Sequence, residues 1–201
     1  MVEKAYNSAT GVDQFYYGVL TTGKAPIAGT APKRVKFLQD IEVSMTSTIV
    51  RAYGDNTTAE LAVSQGNVTV SGNFHKLLQT DKNVILGLET TLGGLSGHGS
   101  NDNPPYVGVV FSKTYEDGST EYVGLPKGKF LKTNITGASK QGETKFTQDA
   151  IAAEFMDRTV DGFDDDKSVI TGVDAKGAVA ARDAIFMAVF GVAHPDAIVI
   201  P

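Results

Sequence analysis

At 201 residues, 41% hydrophobic and 20% charged, the chain holds enough apolar material for one main globular domain and lies outside the composition of disordered proteins. The absence of cysteine excludes disulfides, thiolate catalysis and cysteine-bound zinc, and a formal charge of -5 argues against a protein that grips nucleic acid through Lys and Arg. No apolar run approaches the ~20 residues of a membrane-crossing helix, and Met1-Val2-Glu3-Lys4-Ala5-Tyr6 lacks the basic and apolar regions of a signal peptide, so synthesis in a cytoplasm is expected.

The first strand is predicted over residues 14–20. Residues 35–46 alternate with period two, placing Val35, Phe37, Ile41, Val43 and Met45 on one face and Lys36, Asp40, Glu42, Ser44 and Thr46 on the other, and the polarity swap at Leu38 and Gln39 leaves that phase intact without a bulge. Residues 67–74 alternate most cleanly, with Val68, Val70, Gly72 and Phe74 opposed to Asn67, Thr69, Ser71 and Asn73. A short helix is predicted over residues 81–88, capped by Thr80 and burying Val84, Ile85 and Leu88. The following stretch, residues 92–105, is rich in Gly and Ser and reads as an exposed, mobile loop.

Residues 106–115 and 120–125 are β-rich runs joined by Glu116-Asp117-Gly118-Ser119, a hairpin turn, with Pro126 ending or kinking the second run and residues 129–135 continuing extended. Helix propensity favours a helix for residues 147–157, although Phe146, Gln148, Ala150 and Ala152 also fit one strand face. The acidic residues 161–166 read as a linker to a helix over residues 178–190, which stops at Gly191 ahead of Pro195. Six or seven strands without regular intervening helices point to a mainly β, antiparallel sandwich or barrel, with one short flanking helix and a C-terminal helix. The domain division is residues 1–160 for the β core with its N-terminal arm and 161–201 for the linker and C-terminal helix.

Catalytic patterns fail on spacing. Gly94-Leu95-Ser96-Gly97-His98 approaches the nucleophile elbow Gly-x-Ser-x-Gly but carries His98 where the last glycine belongs. His75, His98 and His194 do not stand at metal-binding spacings, and Asp164, Asp165 and Asp166 lack the glycine and glutamate of a calcium loop. No glycine-rich turn has Walker or Rossmann form. Neither a cofactor nor enzymatic activity is expected.

Four groups of residues stand in order along the chain: Gly11-Val12-Asp13 with Phe15-Tyr16-Tyr17; Tyr53-Gly54-Asp55-Asn56 with Thr57-Thr58-Ala59-Glu60; Pro104-Pro105-Tyr106-Val107; and Tyr122-Val123 with Lys127-Gly128-Lys129-Phe130. Together they resemble the major tail protein, or tail-tube subunit, of long-tailed non-contractile bacteriophages. The resemblance covers about residues 11–158; it departs at Gly124-Leu125-Pro126, where larger aromatic residues are expected, and in the lack of Trp.

The resemblance implies hexameric rings stacked into a virion tail tube, assembled in the host bacterial cytoplasm around a tape-measure protein, in contact with tail-tip or terminator proteins, and traversed by DNA without specific binding. It also favours a strand over residues 146–157. In that setting a long hairpin over residues 35–64 is expected to pack its apolar face on the sandwich and to turn Asp40, Glu42, Asp55 and Glu60 toward the channel, where negative walls repel phosphate. Contacts between rings are expected from the N-terminal arm, residues 92–105 and the segment after Asp161, with Tyr6, Leu95, His98, Asn101 and Phe163 as candidates. The rival readings are a ring-forming tube protein of a secretion system or another tail component, and a monomeric carbohydrate-binding β module.

Overall fold

In the computed structural model, the described residues are 8–21, 31–55, 57–137, 139 and 146–197. The chain is mainly β, and its elements run β1 (Ala9–Val19), β2 (Lys33–Val35), β3 (Leu38–Gly54), β4 (Thr57–Phe74), α1 (Gln79–Leu86), β5 (Glu89–Thr90), β6 (Ser96–Gly97), β7 (Val107–Tyr115), β8 (Thr120–Leu131), β9 (Asp149–Phe155), β10 (Ile170–Asp174) and α2 (Ala180–Phe190). The main sheet is antiparallel throughout, ordered β2-β1-β7-β8-β9-β4-β3, with β10 also paired to β8; β5 and β6 form a separate small ribbon.

β8 organises the sheet. Its first half, Thr120 to Gly124, pairs with β10, whereas Gly128 to Leu131 pair with β9 on the same side. Between them a bulge at Pro126 and Lys127 interrupts the ladder to β7, which is how a residue without an N–H is accommodated inside a long strand. The strand is therefore kinked by Pro126 as the sequence predicts, but not ended by it.

Two apolar clusters follow from the alternation. On the inner face, Phe15, Tyr17, Val68, Val70, Phe74, Val109, Phe111, Phe130 and Phe155 pack together, and Ile85, Leu86 and Leu88 at α1 close one side. On the outer face, Tyr16, Val110, Tyr122 and Ile170 are covered by Ile185, Phe186, Val189 and Phe190 of α2. That helix lies almost on the backbone: a Cβ at Gly108 or Gly124 would come within 2.8 Å of a Val189 methyl.

The alternation of residues 67–74 and the Asp117-Gly118 turn stand as predicted, with Gly118 at φ +81° and Thr114 opposite Thr120. Residues 149–155 are a strand, with Ile151, Ala153 and Phe155 buried; ladders to β4 and β8 on both sides override the helical preference of its alanines.

Four expectations are corrected. Residues 35–46 are not one phase-true strand: the chain breaks after Val35, Phe37 adopts φ +67°, and Leu38 pairs with Phe74 while Asp40 pairs with Asn73, which makes Gln39 a bulge residue. Leu38 consequently packs on the core, and the Phe37 ring stands 70% exposed. Left-handed backbone at a phenylalanine costs about 1–2 kcal/mol.

Second, α1 begins at Gln79, not Asp81, and Thr80 does not cap it; Leu78 occupies the N-cap without a side-chain bond. Asp81 instead points inward, accepting a hydrogen bond from Tyr17 Oη at 2.7 Å and pairing with Lys33 Nζ at 2.6 Å, while Val84 faces solvent. Burial and that hydrogen bond to Asp81 push the Tyr17 pKa up. Lys82 Nζ (2.6 Å) and the Leu77 N–H (2.8 Å) fasten the same segment to Asp149 of β9.

Third, α2 spans Ala180–Phe190, so its start is later than predicted, and Asp174 at the end of β10 caps it from a distance by accepting the N–H groups of Ala181 (2.9 Å) and Arg182 (3.0 Å). Its C-cap at Gly191, φ +69°, is as predicted. Fourth, the segment after Asp161 supplies a sheet strand, β10, that the sequence reading lacked.

His194 closes the outer cluster, 3% exposed, with its ring 4.5 Å from Phe186 and 5.4 Å from Tyr16, and its Nδ1 accepts the Asp196 N–H at 3.0 Å. Burial foremost, and the charge of Arg182, lower its pKa. The unfolded chain then binds the proton more tightly than the folded one, so His194 stabilises fully above its ordinary value near 6.5 and that contribution falls as pH drops below it. Between pH 7 and 5 the melting temperature is expected to decline, and His194→Asn to flatten that slope. An unchanged slope in the variant refutes the assignment.

Candidate subunit interface

Beyond the body of the sheet, β3 and β4 continue as a bare two-stranded ribbon. The β9 ladder stops at Phe155, opposite Val68, yet β3 and β4 remain paired from Ser47↔Gln65 out to Gly54↔Thr57. Eight residues of β3 therefore project roughly 26 Å at 3.3 Å per residue. Both strands have an open edge there among the described residues: nothing pairs with the outer side of β3, and β4 loses β9.

A bulge on β4 between Val68 and Gln65 marks where the ribbon leaves the body. Gly66 allows it, because a Cβ at that position would collide with Thr46. At the tip Asp55 takes φ +49°.

The register sorts the ribbon into two unlike faces. Ile49 opposite Val63, Arg51 opposite Leu61, and Tyr53 lie on one; Thr48 opposite Ser64, Val50 opposite Ala62, and Ala52 opposite Glu60 lie on the other. The first face is exposed, with Ile49 at 58%, Tyr53 at 71%, Leu61 at 60% and Val63 at 66%. This corrects the expectation that the hairpin lays its apolar face on its own sandwich: Ile41 and Val43 do so, but Met45 and everything beyond it stands clear. An isolated hairpin of this size is marginal in water, and open edges beside large apolar side chains are templates for pairing with another chain.

The sequence-predicted channel residues fall on the other face. Asp40, Glu42 and Glu60 are in phase by register and exposed, and Asp55 sits at the turn. Asp40 accepts hydrogen bonds from Asn73 Nδ2 at 3.0 and 3.1 Å.

The predicted inter-ring residues are less united. Tyr6 lies outside the described residues. Leu95, His98 and Asn101 share one loop and are exposed, and Phe163 stands apart in the acidic turn, 45% exposed with Lys167 Nζ 5.9 Å from its ring centroid. The loop is exposed as expected but anchored rather than free. Lys132 Nζ binds the Gly99 carbonyl and Asp102 Oδ2 (2.7 Å), the Gly99 N–H donates to the same carboxylate at 2.7 Å, and Lys129 Nζ reaches Asn103 Oδ1 at 2.9 Å. The Lys132 and Gly99 bonds hold the Asp102 pKa below the usual carboxylate range.

Cavities offer little chemistry by comparison. The one between α1 and β9 is about 160 Å³, and its two charged groups, Lys82 and Asp149, are joined to each other. Among the described residues no cluster of His, Asp and Glu could hold a metal ion. Comparison with protein-family models and with curated protein sequences gives no match.

Sequence reading missed the extent of the bare ribbon. The available signal was the side-by-side apolar pair Ile49-Val50, which cannot both point into one core from a single strand.

Proposed function

We propose that the chain is a structural subunit that forms hexameric rings stacked into the tail tube of a long-tailed non-contractile bacteriophage, a conduit for genome delivery. The observation that carries this reading is the projecting β3–β4 ribbon, open along its edges and amphipathic across its faces. Laid side by side, such ribbons complete one another's backbone hydrogen bonds and close a barrel without edges. Their Ile49, Leu61 and Val63 faces gain an apolar partner in that arrangement, and the Asp40, Glu42 and Glu60 faces line the bore. The resemblance of residues 11–158 to tail-tube subunits supports the same assignment.

DNA in such a bore meets carboxylates and moves without being held. Asp40→Lys combined with Glu42→Lys is therefore expected to leave tubes intact and to slow or stop genome ejection, measured as DNA release from reconstituted particles. Normal ejection from the variant overturns the channel assignment.

The reading as a whole is tested by negative-stain microscopy and light scattering of the purified chain. Long tubes of uniform bore are expected. Isolated rings favour a ring-forming component of another tail or secretion assembly, and a stable monomer across the concentration range defeats the proposal.

A further inference from the structure

The three-stranded ladder β3–β4–β9 has unlike ends, each with an exposed part. At the end where Leu38, Phe74 and Asp149 pair, three rings form an exposed row: Phe37 lies 6.4 Å from His75, which lies 5.5 Å from Phe146. Phe37 is 70% and Phe146 76% exposed. Lys36 and Lys76 flank the row, both exposed and neither ion-paired among the described residues. Phe37 adopts left-handed backbone, φ +67°, and its neighbour in the row, His75, donates its backbone N–H to the Phe37 carbonyl at 3.0 Å.

At the opposite end, where Met45, Val68 and Phe155 pair, the departing ribbon and residues 154–168 enclose a cleft of about 750 Å³. Its wall is apolar at Met45, Val63 and Met156, and its charged residues are Glu154, Asp157 and Asp166, with no Lys or Arg. One end is thus an aromatic knob with positive flanks, and the other a mixed cleft with apolar patches at Met45, Val63 and Met156 and a negative wall.

We infer that these two ends are the halves of one heterologous contact, the Phe37–His75–Phe146 knob of one subunit seating in the Met45–Val63–Met156 cleft of the next. This rests on the tube reading and names the surfaces by which copies join. Within one chain the two ends cannot meet, because seven residues of β9 hold them roughly 23 Å apart. A second copy displaced along the strand direction brings knob to cleft, and because the contact is head to tail it repeats from copy to copy. The paired charges fix the register: Lys36 and Lys76 face Asp157 and Asp166. Two phenylalanine rings bury roughly 300–500 Å², less than the ~800 Å² per partner of a stable interface. The ribbon supplies the rest.

The experiment is a charge exchange read by light scattering and microscopy, with melting temperature as the check on folding. Lys36→Glu with Lys76→Glu, and separately Asp157→Lys with Asp166→Lys, are each expected to raise the concentration needed for assembly at least about tenfold. The chain carrying all four substitutions, and an equimolar mixture of the two double variants, are expected to recover assembly, because opposite charges face each other again. Since local unfolding cannot be mended by adding the second pair, recovery separates the contact from a folding defect. Double variants that assemble like the unaltered chain, or a folded four-substitution chain that does not recover, overturn this contact and leave the tube reading standing. Failure of the unaltered chain to assemble defeats both.

Discussion

Leu61→Asp combined with Val63→Asp is expected to yield a folded monomer that makes no tubes. Both side chains stand in solvent on the projecting ribbon, 60% and 66% exposed, and neither belongs to an apolar cluster of the body. Surface changes of this kind alter stability by only about 0.5 kcal/mol. In the proposed assembly the same positions are covered, and two apolar side chains contribute about 3–6 kcal/mol in all when fully buried. The variant also brings unpaired carboxylates into that contact, which adds to the loss. A deficit of about 5 kcal/mol corresponds to a rise of several thousandfold in assembly concentration. Thr48→Asp, on the opposite face of the same ribbon, is the control and is expected to assemble. Tubes formed by the double variant at ordinary concentration refute the role given to the ribbon.

The largest loss of stability is expected at Arg158. Its side chain is buried, and Nη1 donates to the Pro126 carbonyl at 2.9 Å and the Val189 carbonyl at 3.1 Å, while Nη2 donates to Ala188. One guanidinium therefore satisfies the β8 bulge and the last turn of α2 together, with its positive charge at the negative end of that helix. Burial lowers its pKa, and no carboxylate makes an ion pair with it among the described residues, so carbonyl dipoles carry its solvation. Arg158→Ala leaves three acceptors without their donor and is expected to cost about 3–5 kcal/mol, lowering the melting temperature by about 6–20 °C. Arg158→Lys keeps the charge but lacks the planar fork and is expected to recover less than half. A loss under about 1 kcal/mol in the alanine variant refutes the bridging role.

Where one face of a strand is buried and the other wet, the sequence is readable, and residues 67–74 show it. Turn chemistry was equally plain at Asp117-Gly118, and the helix stop at Gly191 follows from the same left-handed backbone. Legibility failed where tertiary packing outvoted local preference. The alanines of residues 149–155 favour a helix until ladders form on both sides, and short β10 carries Gly172 in its centre, which weakens any strand pattern. The bulge beside Gln39 depends on a left-handed phenylalanine, a conformation that nothing in the sequence announces. The ribbon was half legible: a hairpin and its acidic phase follow from the sequence, but its second strand runs on to Phe74 rather than ending at Ser64, and its apolar face stands clear of the chain's own core. The aromatic row has the same difficulty, since Phe37, His75 and Phe146 are distant in sequence and meet only through the β3–β4–β9 register.

The break in β8 at Pro126 gives the subunit a mechanical property. Among the described residues, the sheet ladder that joins β1, β7 and β10 to β9, β4 and β3 passes through that one strand. The joint is braced from both sides: α1 binds Tyr17 of β1 and Asp149 of β9, and Arg158 ties the bulge to α2 while its backbone bridges Lys167. Bending of the proposed tube would therefore have to break these braces before the two ladders could rotate about Pro126.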